Sequence, residues 1–264
     1  MIVRKAELSI AKRLAAVAGE DAQLEAKFLL QANGFHSPYQ ELSETDARAL
    51  DPLIERRLAG EPLAYILGEW EFYGLPFYVD RTVLIPRPDT ECLVEAALKL
   101  LDAEHNRVLD LCCGSGCIGI ALAACGGAKV TASDISADAL DMTERNARRN
   151  GVSLELIRSD FLDEIDGEFD LIVCNPPYLT RADMDGRDAS LRYEPELALY
   201  GGEDGLAFYR RLANEYTRVL KKGGTLLLEI GMTQREAVEA LFPNAECMLD
   251  YGGRARVITV KRND

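Results

Sequence analysis

The chain has 264 residues, 48% of them hydrophobic and 28% charged, enough to bury a full core divided between one large and one small domain. A net charge of −14 disfavours a free nucleic-acid duplex, which rewards clustered Lys and Arg, so direct binding to nucleic acid is not expected. No apolar run reaches the ~18 residues a membrane helix needs, and the two histidines, His36 and His105, fall in predicted loops, which leaves histidine acid–base chemistry almost without candidates.

The N-terminal stretch Met1 to Leu14 alternates as an amphipathic helix and lacks the apolar core of a signal peptide, so a cytoplasmic protein is expected. From Ser9 to about Leu58 the pattern stays helical, with Leu24, Phe28 and Leu29 on one face and Leu50, Leu53, Ile54 and Leu58 on another. Ser43 followed by Asp46 starts the last of these helices as a capping box, and Gly60 closes it. Residues 1–64 therefore form a small helical domain. Between Glu69 and Val79, aromatic residues alternate around Gly74 and Pro76, which predicts a hairpin and makes 65–85 the linker.

Residues 86–264 form the large domain. After Pro86 to Pro88 a helix is predicted from about Asp89 to Leu101. Strands at about 107–112, 129–133, 154–158, 169–174 and 224–230 then alternate with helices at about 117–124, 136–149, 205–220 and 233–241, the signature of an α/β fold with a mostly parallel sheet. A last pair, 245–250 and 256–261, is turned back at Gly252 and Gly253, so an antiparallel C-terminal hairpin is expected.

The first parallel strand runs into Cys112, Cys113, Gly114, Ser115 and Gly116 and then into an apolar helix, the strand, glycine turn and helix of nucleotide-binding sheets. Gly114 and Gly116 are read as letting a ligand approach the backbone. About twenty residues on, Asp134 ends the second strand, where a carboxylate accepts from both hydroxyls of a ribose. At the end of the third strand, Phe161 is placed to cover an adenine and Asp160 to accept from its amino group. Seven cysteines without paired spacing read as reduced thiols. Cys112, Cys113 and Cys117 are the candidates for metal ligands, but adjacent cysteines diverge on a strand and no histidine lies near, so no metal is expected.

The fourth strand decides the chemistry. It ends in Asn175, Pro176, Pro177 and Tyr178, and two prolines strip that loop of donors. A planar NH₂ group carries two N–H donors and a delocalised lone pair, so it must be held by acceptors before it attacks an activated methyl carbon. The Asn175 side-chain oxygen and the Pro176 carbonyl supply them, and Tyr178 stacks on the flat group. No histidine is required. Asp110 and Glu229 stay open between a structural and a functional role, and the Asp- and Arg-rich segment from Thr180 to Tyr200, with Gly186 as a hinge, between a lid and a solvated loop.

These residues, together with Glu61-Pro-Leu-Ala-Tyr-Ile-Leu-Gly68, Glu71-Phe72, Leu84-Ile-Pro-Arg-Pro-Asp-Thr-Glu91, Val108-Leu-Asp-Leu111, Asp134-Ile-Ser136, Tyr193-Glu-Pro195 and Glu229-Ile-Gly231, give a chain that resembles the release factor glutamine methyltransferase family over nearly its whole length. The resemblance implies a Rossmann-like, class I S-adenosylmethionine-dependent methyltransferase fold behind a small N-terminal helical domain that docks the partner. It implies that residues 112–116, Asp134, Phe161 and Asn175 line S-adenosylmethionine, with Pro86 to Pro88 edging the pocket. It further implies that Asn175 to Tyr178 receive the glutamine amide of the Gly-Gly-Gln loop of peptide-chain release factors, and a monomer is expected. Similar proteins carry Gly-Thr where this chain has Cys112 and Cys113. If that position needs a positive backbone angle, Cys112 is strained by about 1 kcal/mol or more. Glutamine methylation of a ribosomal protein, adenine-amine methylation of DNA and a non-catalytic module of the same fold are the competing readings.

Overall fold

A computed structural model describes residues 1–186 and 189–263. They fall into two compact units, one of Met1–Glu69 with the short segment ending at Tyr193, the other of the remainder from Trp70 onward.

The first unit is helical. Helix α1 (Val3–Ala18) buries Val3, Ala6, Ile10 and Leu14, and α2 (Ala22–Ala32) buries Ala22, Ala26, Leu29 and Leu30, each a stripe at helical spacing. The expected face led by Leu24 is corrected here, because Leu24 is 48% exposed. Alanines carry that stripe, and they are invisible when only large apolar side chains are followed. Helix α3 (Glu44–Leu58) buries Leu50 and Ile54 and starts on the expected box, with the Asp46 N–H donating to Ser43 Oγ at 3.1 Å and the Ser43 N–H to the Asp46 carboxylate at 2.9 Å. A single-turn helix, α4 (Leu63–Leu67), follows, and Gly68 ends it in the left-handed region.

The second unit begins with the hairpin of β1 (Glu69–Phe72) and β2 (Leu75–Tyr78). Its two turn residues, Tyr73 and Gly74, both have positive φ (53° and 71°), the combination that matches a turn to the twist of its strands. After a 3₁₀ turn at Pro88–Thr90 come α5 (Glu91–Leu98), β3 (Arg107–Leu111), α6 (Cys117–Gly126), β4 (Lys129–Asp134), α7 (Ala137–Arg149), β5 (Glu155–Arg158) and β6 (Phe169–Cys174). The chain continues through α8 (Arg181–Asp185), α9 (Ala207–Glu215), β7 (Leu220–Glu229), α10 (Arg235–Glu239), β8 (Ala245–Leu249) and β9 (Ala255–Lys261). The predicted helix to 220 stops at Glu215 because β7 begins early: Leu220 pairs with Phe169, and Gly223 and Gly224 bond to Arg262.

Seven strands lie in the order β5-β4-β3-β6-β7-β9-β8, parallel from β5 to β7, with the antiparallel β9 inserted between β7 and the edge strand β8. Side chains alternate between two apolar layers, as strand geometry requires. Val108, Val173 and Leu227 pack with Leu93, Ile118 and Leu122 of α5 and α6, while Leu109, Ile172, Leu226 and Leu228 pack with Tyr209 and Leu212 of α9. All six residues of β6 are buried, as in a central parallel strand. The strand order reverses between β3 and β6, so the sheet opens a crevice at the carboxyl ends of these two strands.

Candidate active site

Leaving β3, the backbone at Cys112 takes φ 60°, so the position where relatives in the resemblance carry glycine does demand the left-handed region. The conformation costs a side-chain-bearing residue about 1–2 kcal/mol, and it persists because the turn is fastened on both sides. The Cys113 N–H donates to Ser133 O at 3.0 Å and the Gly114 N–H to the Asp134 carboxylate at 3.0 Å. From α7, Thr143 Oγ1 donates to Gly114 O at 3.0 Å and Asn146 Nδ2 to Ser115 O at 2.9 Å. Asn146 also accepts from the Tyr78 N–H at 2.7 Å, so one buried amide ties the turn to the hairpin. Neither Thr143 nor Asn146 was singled out from the sequence; the only signal was two polar residues on the otherwise inward face of α7.

The two glycines of the turn do different things. Gly114 (φ 55°) lines a cavity, and nothing stands within 4 Å of where a Cβ would be. Gly116 (φ 77°) does not line it, which corrects the expectation that both glycines face a ligand. A Cβ there would sit 2.7 Å from Thr143 Cγ2, so its missing side chain admits α7.

The cavity encloses about 380 Å³ at the crevice, within the range of small-ligand sites. Cys112, Cys113, Gly114, Ser115, Asp134, Phe161, Asn175 and Pro177 all contribute to its wall, as do Ser133, Ile135, Phe208 and Pro195, which the sequence reading did not assign. Asp134 accepts from Gly114 and, at 2.9 Å, from the Ser136 N–H. Its two oxygens keep lone pairs for further donors. Burial pushes its pKa up, and the backbone donors oppose that rise. Phe161, also at positive φ (60°), is buried, packs on Phe208 with centroids 5.9 Å apart and carries the Arg211 guanidinium 5.1 Å above its ring. Arg211 donates to the Asp160 carboxylate at 2.6 Å, so the acid expected to face an adenine already holds an ion-pair partner.

Beneath the turn, Asp110 is fully buried and accepts from the Gly119 N–H at 2.8 Å, fixing the start of α6. Desolvation raises its pKa to about 7. Burial likewise raises the Cys113, Cys117 and Cys174 thiols, Cys117 to about 12, so they stay protonated at neutral pH. Among the described residues no cluster of three or more His, Cys, Asp or Glu side chains is arranged to hold a metal ion.

At the end of β6, Asn175 reaches the same cavity, and its Nδ2 donates to Thr90 Oγ1 at 3.4 Å. Pro177 joins the wall, but Pro176 and Tyr178 do not. Pro176 is buried, and the half-buried Tyr178 ring packs on the α9 side of the sheet core. The Tyr178 carbonyl accepts from Gln234 Nε2 at 3.1 Å, which holds the loop against the turn before α10. Two motifs far apart in the chain meet at the rim: Glu194 accepts from Arg87 and, at 3.1 Å, from the Ile85 N–H. Arg187 and Asp188 of the segment from Thr180 to Tyr200, left open between a lid and a solvated loop, lie outside the described residues. No helix among the described residues is long and apolar enough to cross a membrane.

Comparisons with known proteins agree with this architecture. Family models described as "Methyltransferase small domain" and "PrmC N-terminal domain" match residues 89–189 and 8–68. The release factor glutamine methyltransferase of Agrobacterium fabrum is 40% identical over 95% of this chain and 94% of its own length. That of Moorella thermoacetica is 40% identical over the full length of both. Among solved structures, a methyltransferase from Pyrococcus furiosus has a TM-score of 0.57 at 17% identity, covering 82% of this chain and 98% of its own. The T. thermophilus 16S rRNA N2 G1207 methyltransferase, solved with AdoMet and guanosine, has a TM-score of 0.52 at 19% identity over 74% of this chain and 50% of its own. With a methyltransferase sheet, a matching N-terminal helical region and relatives this similar along their whole lengths, the chain belongs to the release factor glutamine methyltransferase family.

Proposed function

We propose that this protein transfers a methyl group from S-adenosylmethionine to the side-chain amide nitrogen of the glutamine in the Gly-Gly-Gln loop of peptide-chain release factors. The observation that carries the reading is that the glycine turn, Asp134 and Asn175 share one cavity at the strand-order reversal. Its wall suits the cofactor. Gly114 leaves open space at the backbone, Ser133 Oγ is buried without a hydrogen-bond partner, and Asp134 has acceptor capacity for ribose hydroxyls. Phe161 and Ile135 offer apolar surface for a base.

When bound, S-adenosylmethionine supplies an electrophilic methyl carbon on a sulfonium that leaves as a neutral thioether. The protein has only to hold the acceptor. Asn175 Oδ1, which faces the cavity, would take one N–H of the glutamine amide, and the Pro176 carbonyl and the Tyr178 ring, which do not line the cavity, would have to turn toward it to take the other N–H and flank the plane. With both N–H groups held, the nitrogen lone pair would face the methyl carbon, and the proton shed on methylation would pass to water. Fixing two reactants in line removes an entropic barrier of up to roughly 7–11 kcal/mol, which suits a site without an acid–base pair. In this reading residues 1–64 dock the protein partner, 65–85 connect, and 86–264 carry the reaction.

The test is to incubate the protein with methyl-labelled S-adenosylmethionine and, separately, a release factor, ribosomal protein and duplex DNA, then locate the label by mass spectrometry. Label on the release-factor glutamine is expected, and label on DNA alone would overturn the reading. Asn175→Ala should cut kcat by about a hundredfold or more while cofactor affinity stays close to the parent's, because the lost contact is made to the acceptor.

A further inference from the structure

Three main-chain groups from separate parts of the sequence converge on one side chain beside the loop that follows β6. Gln234 Nε2 donates to Tyr178 O at 3.1 Å and to Gly205 O at 3.1 Å, and the Gly231 N–H donates to Gln234 Oε1 at 2.9 Å. A backbone N–H can only donate, so the oxygen end of the amide must face Gly231, and both hydrogens of its NH₂ go to the two carbonyls. A glutamate of the same shape has no hydrogen to give once ionised, and a methionine has none at all.

Gln234 stands at the start of α10, yet its side chain makes no capping bond to that helix. Its hydrogen-bonding capacity goes to the loop instead. The neighbouring chain is shaped for the same contact. A Cβ on Gly205 would stand 2.4 Å from Tyr178 O and 2.7 Å from Gln234 Nε2, and one on Gly201 would stand 2.6 Å from Tyr178 Cα, so both segments approach the loop only where they lack side chains. The next residue is locked by main-chain bonds, with the Leu179 N–H donating to Leu199 O at 2.9 Å and the Gly201 N–H to Leu179 O at 2.8 Å. At the other end, Cys174 is held in the sheet between β3 and β7. The loop from Asn175 to Tyr178 thus has two fixed ends, and Gln234, which lies outside the cavity wall, fastens the second.

We propose that Gln234 is a positioning residue that pins the acceptor loop at the Tyr178 carbonyl, so that the Tyr178 ring turns toward the substrate amide about a main chain that stays in place. The inference rests on the reading of Asn175 to Tyr178 as the acceptor loop. Without the amide, the Tyr178 and Gly205 carbonyls lose the donor they share, and the loop is free to shift. A displacement of about 1 Å at a reacting group is enough to cost about a hundredfold in rate.

The experiment measures kcat, KM for the release factor, cofactor Kd and thermal unfolding for Gln234→Met, Gln234→Glu, Tyr178→Ala, Asn175→Ala and the Gln234→Met/Tyr178→Ala double variant. Gln234→Met keeps the length of the side chain and is expected to lower kcat by about ten- to a hundredfold, with cofactor Kd within about twofold of the parent's. In the double variant the ring is gone and nothing is left to place, so the second substitution adds little to the loss in Tyr178→Ala. Gln234→Glu loses as much at about pH 8, and its kcat relative to the parent's recovers as the pH falls to about 6, because the new carboxyl, raised by the carbonyls it faces, regains a hydrogen to donate. Being closest in shape, it carries the test where Gln234→Met does not fold. Full turnover in Gln234→Met, a loss of cofactor affinity as large as the loss of kcat, multiplied losses in the double variant or a Gln234→Glu ratio that ignores pH would each overturn the inference while Asn175→Ala still fails. Full turnover in Asn175→Ala would instead remove the acceptor reading, and the inference with it.

Discussion

Adding one methyl group to each glycine of the cofactor turn separates fold from ligand. In Gly116→Ala the new Cβ meets Thr143 Cγ2 at 2.7 Å, Thr143 Oγ1 at 3.0 Å and Ile120 Cδ1 at 3.1 Å, at φ 77°. Left-handed backbone costs a residue with a Cβ about 1–2 kcal/mol. Overpacking against a helix already bonded to the turn adds about 1–3 kcal/mol, for a total of about 2–5 kcal/mol. Gly114→Ala, at φ 55° with nothing within 4 Å, pays the backbone part alone, about 1–2 kcal/mol. Its methyl enters the cavity, where on the proposed reading it meets the cofactor. Urea unfolding followed by fluorescence of Trp70, the one tryptophan of the chain, reports on the unit that holds the turn. Calorimetric titration gives cofactor Kd on protein kept folded. The expected result is crossed: Gly116→Ala loses more stability, and Gly114→Ala loses about tenfold or more in affinity. Equal stability losses, or a larger affinity loss in Gly116→Ala, would refute the division of labour.

Other expectations follow from single side chains. Asp134→Ala removes the acceptor for two backbone N–H groups and, on the proposed reading, for the ribose, so cofactor affinity should fall about tenfold to a hundredfold in equilibrium dialysis, with stability also reduced. Asp110 has its folded pKa raised from 3.8 to about 7, so the folded state binds the extra proton in that window. Its contribution to stability therefore falls as pH rises from about 4 through about 7 and is level above, and Asp110→Asn should flatten that part of the urea-stability profile. Arg87→Met removes the ion-pair partner of the Glu194 carboxylate, 2% exposed, which also accepts from the Ile85 N–H, and limited proteolysis should cut near Glu194 faster than in the parent.

Much of the site was legible because its parts are local. The run from Val108 to Gly116 is strand, turn and helix in one stretch, Asp134 ends the next strand, and Asn175 ends a wholly apolar one. Even the demand for positive φ at Cys112 followed from comparing that residue with the glycine expected there. What stayed hidden depends on distance in the chain. Thr143 and Asn146 act on a turn some thirty positions away, so no spacing rule reveals them. The ion-pair partner of Asp160, Arg211 of α9, lies 51 positions further along the chain. Gly116 looked like ligand surface because a sequence does not say which of two glycines another helix approaches. The alanine stripe of α2 and the early start of β7 were missed for a related reason, since partners rather than propensity set both.

The pairing of Leu111 with Cys174 across β3 and β6 has a wider implication. The turn after one strand and the loop after the other leave from the same rung of the ladder, on strands about 4.8 Å apart. On the proposed reading, main-chain bonds thus act as a ruler between methyl donor and methyl acceptor, and neither loop has to find the other. Changes elsewhere in the chain can alter which protein is admitted without resetting that gauge.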